Sequence, residues 1–98
     1  MNEILTHVDA GVTTLTINRV EKKNSLTAAM YAALAQAIAQ AAQDHSQRIL
    51  VIQGHETVFS AGNDVADFLH QPPTGADAPV FHFLKGIATF PKPLLAAV

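Results

Sequence analysis

Phe59-Ser60-Ala61-Gly62-Asn63-Asp64 stands between the apolar run Ile49-Leu50-Val51-Ile52 and the segment Val65-Ala66-Asp67-Phe68-Leu69, which reads as a short helix. A strand that enters a turn of small residues and leaves it as a helix is a common place to build a site. The turn lets backbone N–H groups point outward, and the helix N-terminus aims partial positive charge at the same spot. This turn is read as holding an oxygen that becomes negative during a reaction.

Working upstream, Arg48 to Gln53 is continuously apolar rather than alternating in its centre, which predicts a strand in a sheet covered on both faces. Before it, Thr27 is a good N-cap for an alanine-rich helix from Ala28 to Gln43, with Ser25 as the other possible start. Met30, Leu34, Ala37, Ile38 and Ala41 recur at helical spacing as a packing stripe, and His45-Ser46-Gln47 breaks the helix. Earlier still, Ile4–Val8 and Val12–Ile17 are rich in β-branched residues and flank Asp9-Ala10-Gly11, which predicts a hairpin with Gly11 at positive φ. Alternation places Thr13, Leu15 and Ile17 on the inner face. Strand, helix, strand in this order predicts a crossover that makes the third strand parallel to the second. The fold class is therefore α/β.

Downstream, residues 70–79 hold three of the five prolines and Gly75, and are expected to form a flexible loop. Val80 to Thr89 resumes helical spacing through Val80, Phe83, Leu84 and Ile87. Phe90-Pro91-Lys92-Pro93 ends it, and Leu94-Leu95-Ala96-Ala97-Val98 begins another buried strand. A naked central strand is an aggregation hazard, so residues 1–98 are expected to be the N-terminal part of a longer domain.

Composition narrows the function. The chain is 49% apolar and 14% charged, which excludes disorder. A net charge of −2 gives no global attraction to nucleic acid. Without cysteine there is no disulfide or thiol chemistry. The N-terminus lacks a secretory pattern, and no apolar run is long enough for a membrane span, so a soluble cytoplasmic protein is the default. Arg19, Lys22 and Lys23 gather half of the six basic residues in one loop, a spot suited to a phosphate or simply a solvated loop.

Three stretches together resemble the N-terminal half of the crotonase superfamily, the enoyl-CoA hydratase/isomerase family. They are Asn18-Arg19-Val20-Glu21-Lys22-Lys23-Asn24-Ser25-Leu26, Phe59-Ser60-Ala61-Gly62-Asn63-Asp64 and Phe90-Pro91-Lys92-Pro93-Leu94-Leu95-Ala96-Ala97-Val98. They occur in the family's order and approximate spacing and cover almost the whole chain. The Ser-Ala-Gly-Asn-Asp wording, the proline-rich loop and Phe-Pro-Lys-Pro look most like the Δ3,Δ2-enoyl-CoA isomerase branch.

The resemblance implies a crotonase-like ββα spiral and acyl-CoA or enoyl-CoA substrates, with coenzyme A as part of the substrate, no tightly held cofactor and no metal. It implies that the backbone N–H of Asn63 is one of two donors to the thioester oxygen, worth roughly 10²–10³ in rate. Ala61 and Gly62 are small so that the ligand approaches the backbone, and Asp64 lies beside them as a helix cap or a base. Lys22, Lys23, Asn24, Ser25 and Leu26 would lie against the nucleotide end of coenzyme A, main-chain atoms meeting the adenine and Lys22 or Lys23 the phosphates. Homotrimers or pairs of trimers are implied, with no nucleic acid or membrane partner.

The chain departs from the pattern at Val20, where many members have proline. The second oxyanion donor and the acid–base carboxylates match no position in the chain, and general acid–base help of about 10²–10⁴ would be missing. These 98 residues alone are therefore expected to be inactive. Two other readings compete. One is a non-catalytic acyl-CoA-binding protein of the same fold. The other is a serine hydrolase, for which Val58 stands where the nucleophile elbow needs its first glycine. His55-Glu56 opens a zinc-helix pattern that Phe59 breaks.

Overall fold

Ala10 and Gly11 both take positive φ, 51° and 81°, and this tight turn joins strand β1 (Ile4–Asp9) to strand β2 (Val12–Ile17). A turn of that hand follows the natural twist of its strands. The computed structural model describes residues 3–55, 58–70, 75 and 78–97. Most of the proline-rich loop expected at 70–79, the Glu56 half of the His-Glu pair and Val98 lie outside the described residues.

Helix α1 (Ala28–Gln43) begins at Thr27, whose hydroxyl oxygen accepts the Met30 N–H at 3.2 Å. Strand β3 (Ile49–Gln53) follows, then helix α2 (Val65–His70), helix α3 (Pro79–Ala88) and strand β4 (Leu94–Ala97). The sheet order is β1-β2-β3-β4, with β1 antiparallel to β2 and the other pairs parallel, as the crossover predicted. Register aligns Thr13 with Leu50 and Leu94, and Leu15 with Ile52 and Ala96, so these residues share one face.

That face meets the stripe of α1. Leu15, Ile17, Leu50 and Ile52 from the sheet and Met30, Leu34, Ile38 and Ala41 from the helix form the buried core. Each large side chain removed from water there contributes about 1.5–3 kcal/mol. Helix α3 packs beside α1, with Phe83 and Ile87 against the same cluster. Leu84, expected on that stripe, is instead 52% exposed, because Phe83 and Ile87 take the inward positions of this ten-residue helix.

Strand β3 also corrects its sequence reading. Leu50 and Ile52 are buried while Ile49, Val51 and Gln53 are only half-buried, so burial alternates. Among the described residues, helices cover only one face of the sheet, and the apolar residues of the other face remain partly open. Helix α2 buries no residue, and Val65 and Leu69 are largely exposed. No described helix is long and apolar enough to cross a membrane.

Lys92 closes the far end of the layer. Its ammonium donates to Ala41 O at 2.6 Å, Asp44 O at 2.7 Å and Gln47 O at 2.7 Å. These are the carbonyls at and after the end of α1, where a cation is favoured by the free C=O groups and their aligned dipoles. Lys92→Met keeps the aliphatic stem and removes all three bonds. It should lower stability by about 2 kcal/mol in urea unfolding of the full-length protein.

Candidate active site

The site is built on the loop that follows β2. Residues Val20–Lys22 make one 3₁₀ turn, and Lys23 and Asn24 then both adopt left-handed backbone, with φ of 56° and 57°. Such a pair costs roughly 1–2 kcal/mol per residue and must be held by its surroundings. The Asn24 side chain does this. It is fully buried, accepts the Arg19 N–H at 2.7 Å, and donates to Ile17 O at 3.1 Å, Val58 O at 3.3 Å and Phe59 O at 3.1 Å. One carboxamide thus ties the end of β2 to the chain that follows β3.

The loop then grips the turn that carries the site. Lys23 O accepts the Ala61 N–H at 3.0 Å, and the Ser60 hydroxyl donates to Asn24 O at 2.8 Å while accepting the Gly62 N–H at 3.0 Å. Ser60 is therefore a turn residue whose proton is given to a carbonyl, not to a base that would activate it. Gly54 permits this close stacking: a Cβ there would lie 2.3 Å from Phe59 O.

Leu26 sets the direction of the next peptide. Its N–H donates to Gly62 O and its C=O accepts the Asp64 N–H, both at 2.8 Å, forming a short parallel bridge around Asn63. In a trans peptide the C=O and N–H point opposite ways. Binding Gly62 O toward Leu26 therefore turns the Asn63 N–H away from it. Gly62 enters this geometry at φ of 94°, which an L side chain rarely adopts. Asn63, Ala61 and Gly62 are all exposed residues.

Charge holds the same region. Arg19, with its side chain 14% exposed, donates to Asp64 Oδ2 at 2.7 Å, to Ser25 O and Oγ at 3.2 Å each, and pairs with Glu3 at 3.2 Å. Asp64 Oδ1 in turn accepts the Asp67 N–H at 2.8 Å and caps α2. These bonds, the Asp67 N–H first and Arg19 next, hold the Asp64 carboxyl below its ordinary value. Asp64 is thus an ionised cap with both carboxylate oxygens already bonded. It also fills the helix N-terminus that the sequence offered to an anion, and at six residues α2 is too short to add much dipole. Asp67 reaches across to accept the Ala28 N–H at 2.7 Å, so α2 caps α1.

The sequence-derived candidates therefore divide. Asn63, Ala61 and Gly62 converge on one exposed turn, and Lys22 and Lys23 are exposed beside it in the loop. Asn24 is buried, Ser25 and Leu26 are half-buried, and Arg19 is withdrawn from the basic spot into its ion pairs. Every N–H from Lys22 to Leu26 is already bonded to a backbone oxygen. The loop can offer a ligand the second lone pairs of its carbonyls and two lysines, but no backbone donors. Tyr31 is a residue that sequence reasoning missed: its phenol donates to the Asn63 side-chain oxygen. Its one visible signal was being the only tyrosine, at the edge of an otherwise alanine-rich stripe. Among the described residues no group of three His, Cys, Asp or Glu forms a metal site.

The class of protein follows from the fold. The whole chain superposes on Pseudomonas aeruginosa OdaA with a TM-score of 0.96 at 42% identity, covering 40% of that chain. It also matches a putative enoyl-CoA hydratase/carnithine racemase from Magnetospirillum magneticum AMB-1 with a TM-score of 0.93 at 40% identity, covering 38% of it. The architecture is that of the crotonase fold. A family profile described as Enoyl-CoA hydratase/isomerase matches residues 7–98, and the chain belongs to that family. It is 39% identical to the 1,2-epoxyphenylacetyl-CoA isomerase of Escherichia coli K12, over all of this chain and 40% of that protein. It is 34% identical to human Enoyl-CoA delta isomerase 2, over 90% of this chain and 24% of that one. The chain thus spans well under half the length of these relatives.

Two outcomes are expected from the clamp. Asn24→Ala strands buried carbonyls and an N–H, and should cost about 3 kcal/mol of stability by urea unfolding of the full-length protein. For Asp64, a lowered native pKa means that its stabilising contribution is complete above the unfolded value and is lost as pH falls through the native one. Asp64→Asn should therefore destabilise at neutral pH, and its gap from the parent should close below about pH 4, followed by thermal melts across pH.

Proposed function

We propose that the full-length protein acts on acyl-CoA thioesters through a stabilised enolate, as an enoyl-CoA hydratase or a Δ3,Δ2-enoyl-CoA isomerase. The observation that carries this is the Asn63 N–H, turned outward at an exposed turn by the two Leu26 bonds. Taking a proton from the carbon next to a thioester, or adding water across a conjugated double bond, moves an electron pair onto the thioester oxygen. A donor already fixed at that oxygen favours the transition state without rearranging when the charge appears. The human relative's name, Enoyl-CoA delta isomerase 2, supports the isomerase branch.

Coenzyme A enters as part of the substrate, with no tightly held cofactor and no metal. Lys22 or Lys23 meets its phosphates, and the carbonyls between Lys22 and Leu26 receive the exocyclic amine of adenine. Ala61 and Gly62 admit the thioester, and Asp64 keeps the turn in place. The second oxyanion donor and the acid–base carboxylate belong to chain beyond these 98 residues, which alone are inactive in this proposal. The active form is a soluble cytoplasmic trimer or pair of trimers.

The test is a pair of substitutions at Asn63 in the full-length protein, assayed with crotonyl-type and 3-enoyl thioesters. Asn63→Pro removes the N–H and should reduce kcat/KM by about 10²–10³. Asn63→Ala keeps it and should stay within about tenfold of the parent, the loss of one side-chain bond. Equal losses in the two would sink the backbone role. Coenzyme A binding without any hydration or double-bond shift would replace the enzyme by a non-catalytic binder.

A further inference from the structure

Leu26 holds Asn63 at two points, through Gly62 O on one side and the Asp64 N–H on the other. Two points define an axis, and the peptide between them retains one soft motion, a rocking about that axis. Rocking swings the Asn63 N–H through an arc while both bonds survive. On the N-terminal side the Gly62 N–H is tied to Ser60 Oγ at 3.0 Å, but Gly62 has no Cβ, and one built there would meet no atom within 4 Å, so no side-chain packing adds to that bond. A restraint away from the axis, on Asn63 itself, limits the motion most directly.

We propose that Tyr31 is that restraint, a positioning residue that fixes the direction of the Asn63 N–H by binding the Asn63 side chain to α1. The phenol donates to Asn63 Oδ1 across 32 residues of sequence. Tyr31 is itself well anchored for the task. Its N–H donates to Thr27 O at 3.0 Å in the capped first turn of α1, directly after the Leu26 that holds the other two points. Its ring rests against Phe83 of α3, with centroids 5.4 Å apart and planes tilted by 51°. Partial burial raises the phenol above its ordinary value, so the proton it donates stays in place throughout the neutral range.

Aiming matters because a hydrogen bond weakens steeply as its donor angle opens, and an oxyanion donor acts by being in place before the charge develops. Tyr31 touches no reacting atom in this scheme. Its effect should appear in the chemical step and not in ground-state binding, where the nucleotide end of coenzyme A supplies most of the contact. The inference rests on the donor role of Asn63 given under Proposed function.

In the full-length protein, Tyr31→Phe keeps the ring on Phe83 and deletes only the hydroxyl. It is expected to lower kcat about fivefold to tenfold, leaving KM and the Kd of a saturated acyl-CoA within about twofold. Asn63→Ala should lower kcat by the same factor, and the double variant should lose no more than either single one, since both remove the same bond. Unchanged kcat in Tyr31→Phe, a matching loss in saturated acyl-CoA binding, or losses that multiply in the double variant would overturn the proposal. Failure of the parent reading looks different, because the wild type would then neither turn over thioesters nor exchange their α-protons. In that case ¹⁵N relaxation of the Asn63 amide decides. It should be ordered in the parent and more mobile in Tyr31→Phe, and equal order in both overturns the positioning role.

Discussion

The whole arrangement depends on one buried carboxamide. Asn24 has no water around it, and its side chain gathers backbone groups from Ile17, Arg19, Val58 and Phe59. These come from the end of β2 and from the segment after β3, which are far apart in sequence and adjacent in space. Unpaired, each would cost about 1–3 kcal/mol in the interior. Joined through one side chain, they compel the loop and the turn to lie together. The left-handed backbone at Lys23 and Asn24 is the conformational cost of that junction.

Everything that gives the turn its direction is attached to this knot. Arg19 leaves it to meet Asp64, and Asp64 caps α2. Lys23 and Asn24 lend their carbonyls to Ala61 and Ser60, and Leu26 grips either side of Asn63. A feature that looked like a strand-to-helix anion site is therefore something narrower. The helix end carries its own aspartate, which takes the Asp67 N–H, and the feature of interest is the Asn63 peptide N–H aimed by its neighbours. An exposed turn of small residues would ordinarily be mobile. Here it inherits order from a buried group several residues away, and this suits a donor that must already be in place when charge appears.

Much of this was legible from residues alone, for physical reasons that can be named. The hairpin at Ala10-Gly11, the Thr27 cap, the stripe from Met30 to Ala41 and the parallel crossover follow local rules of turn chemistry, capping and periodicity. The motif residues around Gly62 were legible by resemblance. The misreadings share a cause. Strand β3 was taken as covered on both faces because apolar runs usually are, yet the described residues supply layers for only one. Leu84 was placed inward because 3.6-residue spacing does not say which of two adjacent apolar rows a short helix buries.

By itself the sequence determined the α/β class, the element order and the family, and singled out the turn proposed as the site. Each rests on short local patterns read in chain order, the family on three such stretches. Only the tertiary structure decided that Arg19 belongs to Asp64 and not to a phosphate, that the Asn24 side chain ties the end of β2 to the chain after β3, and that Tyr31 meets Asn63. Those pairings join residues 45, 34 and 32 positions apart. No periodicity or local preference encodes partners at such separations, because they are chosen by where the packed sheet and helix bring the chain back upon itself.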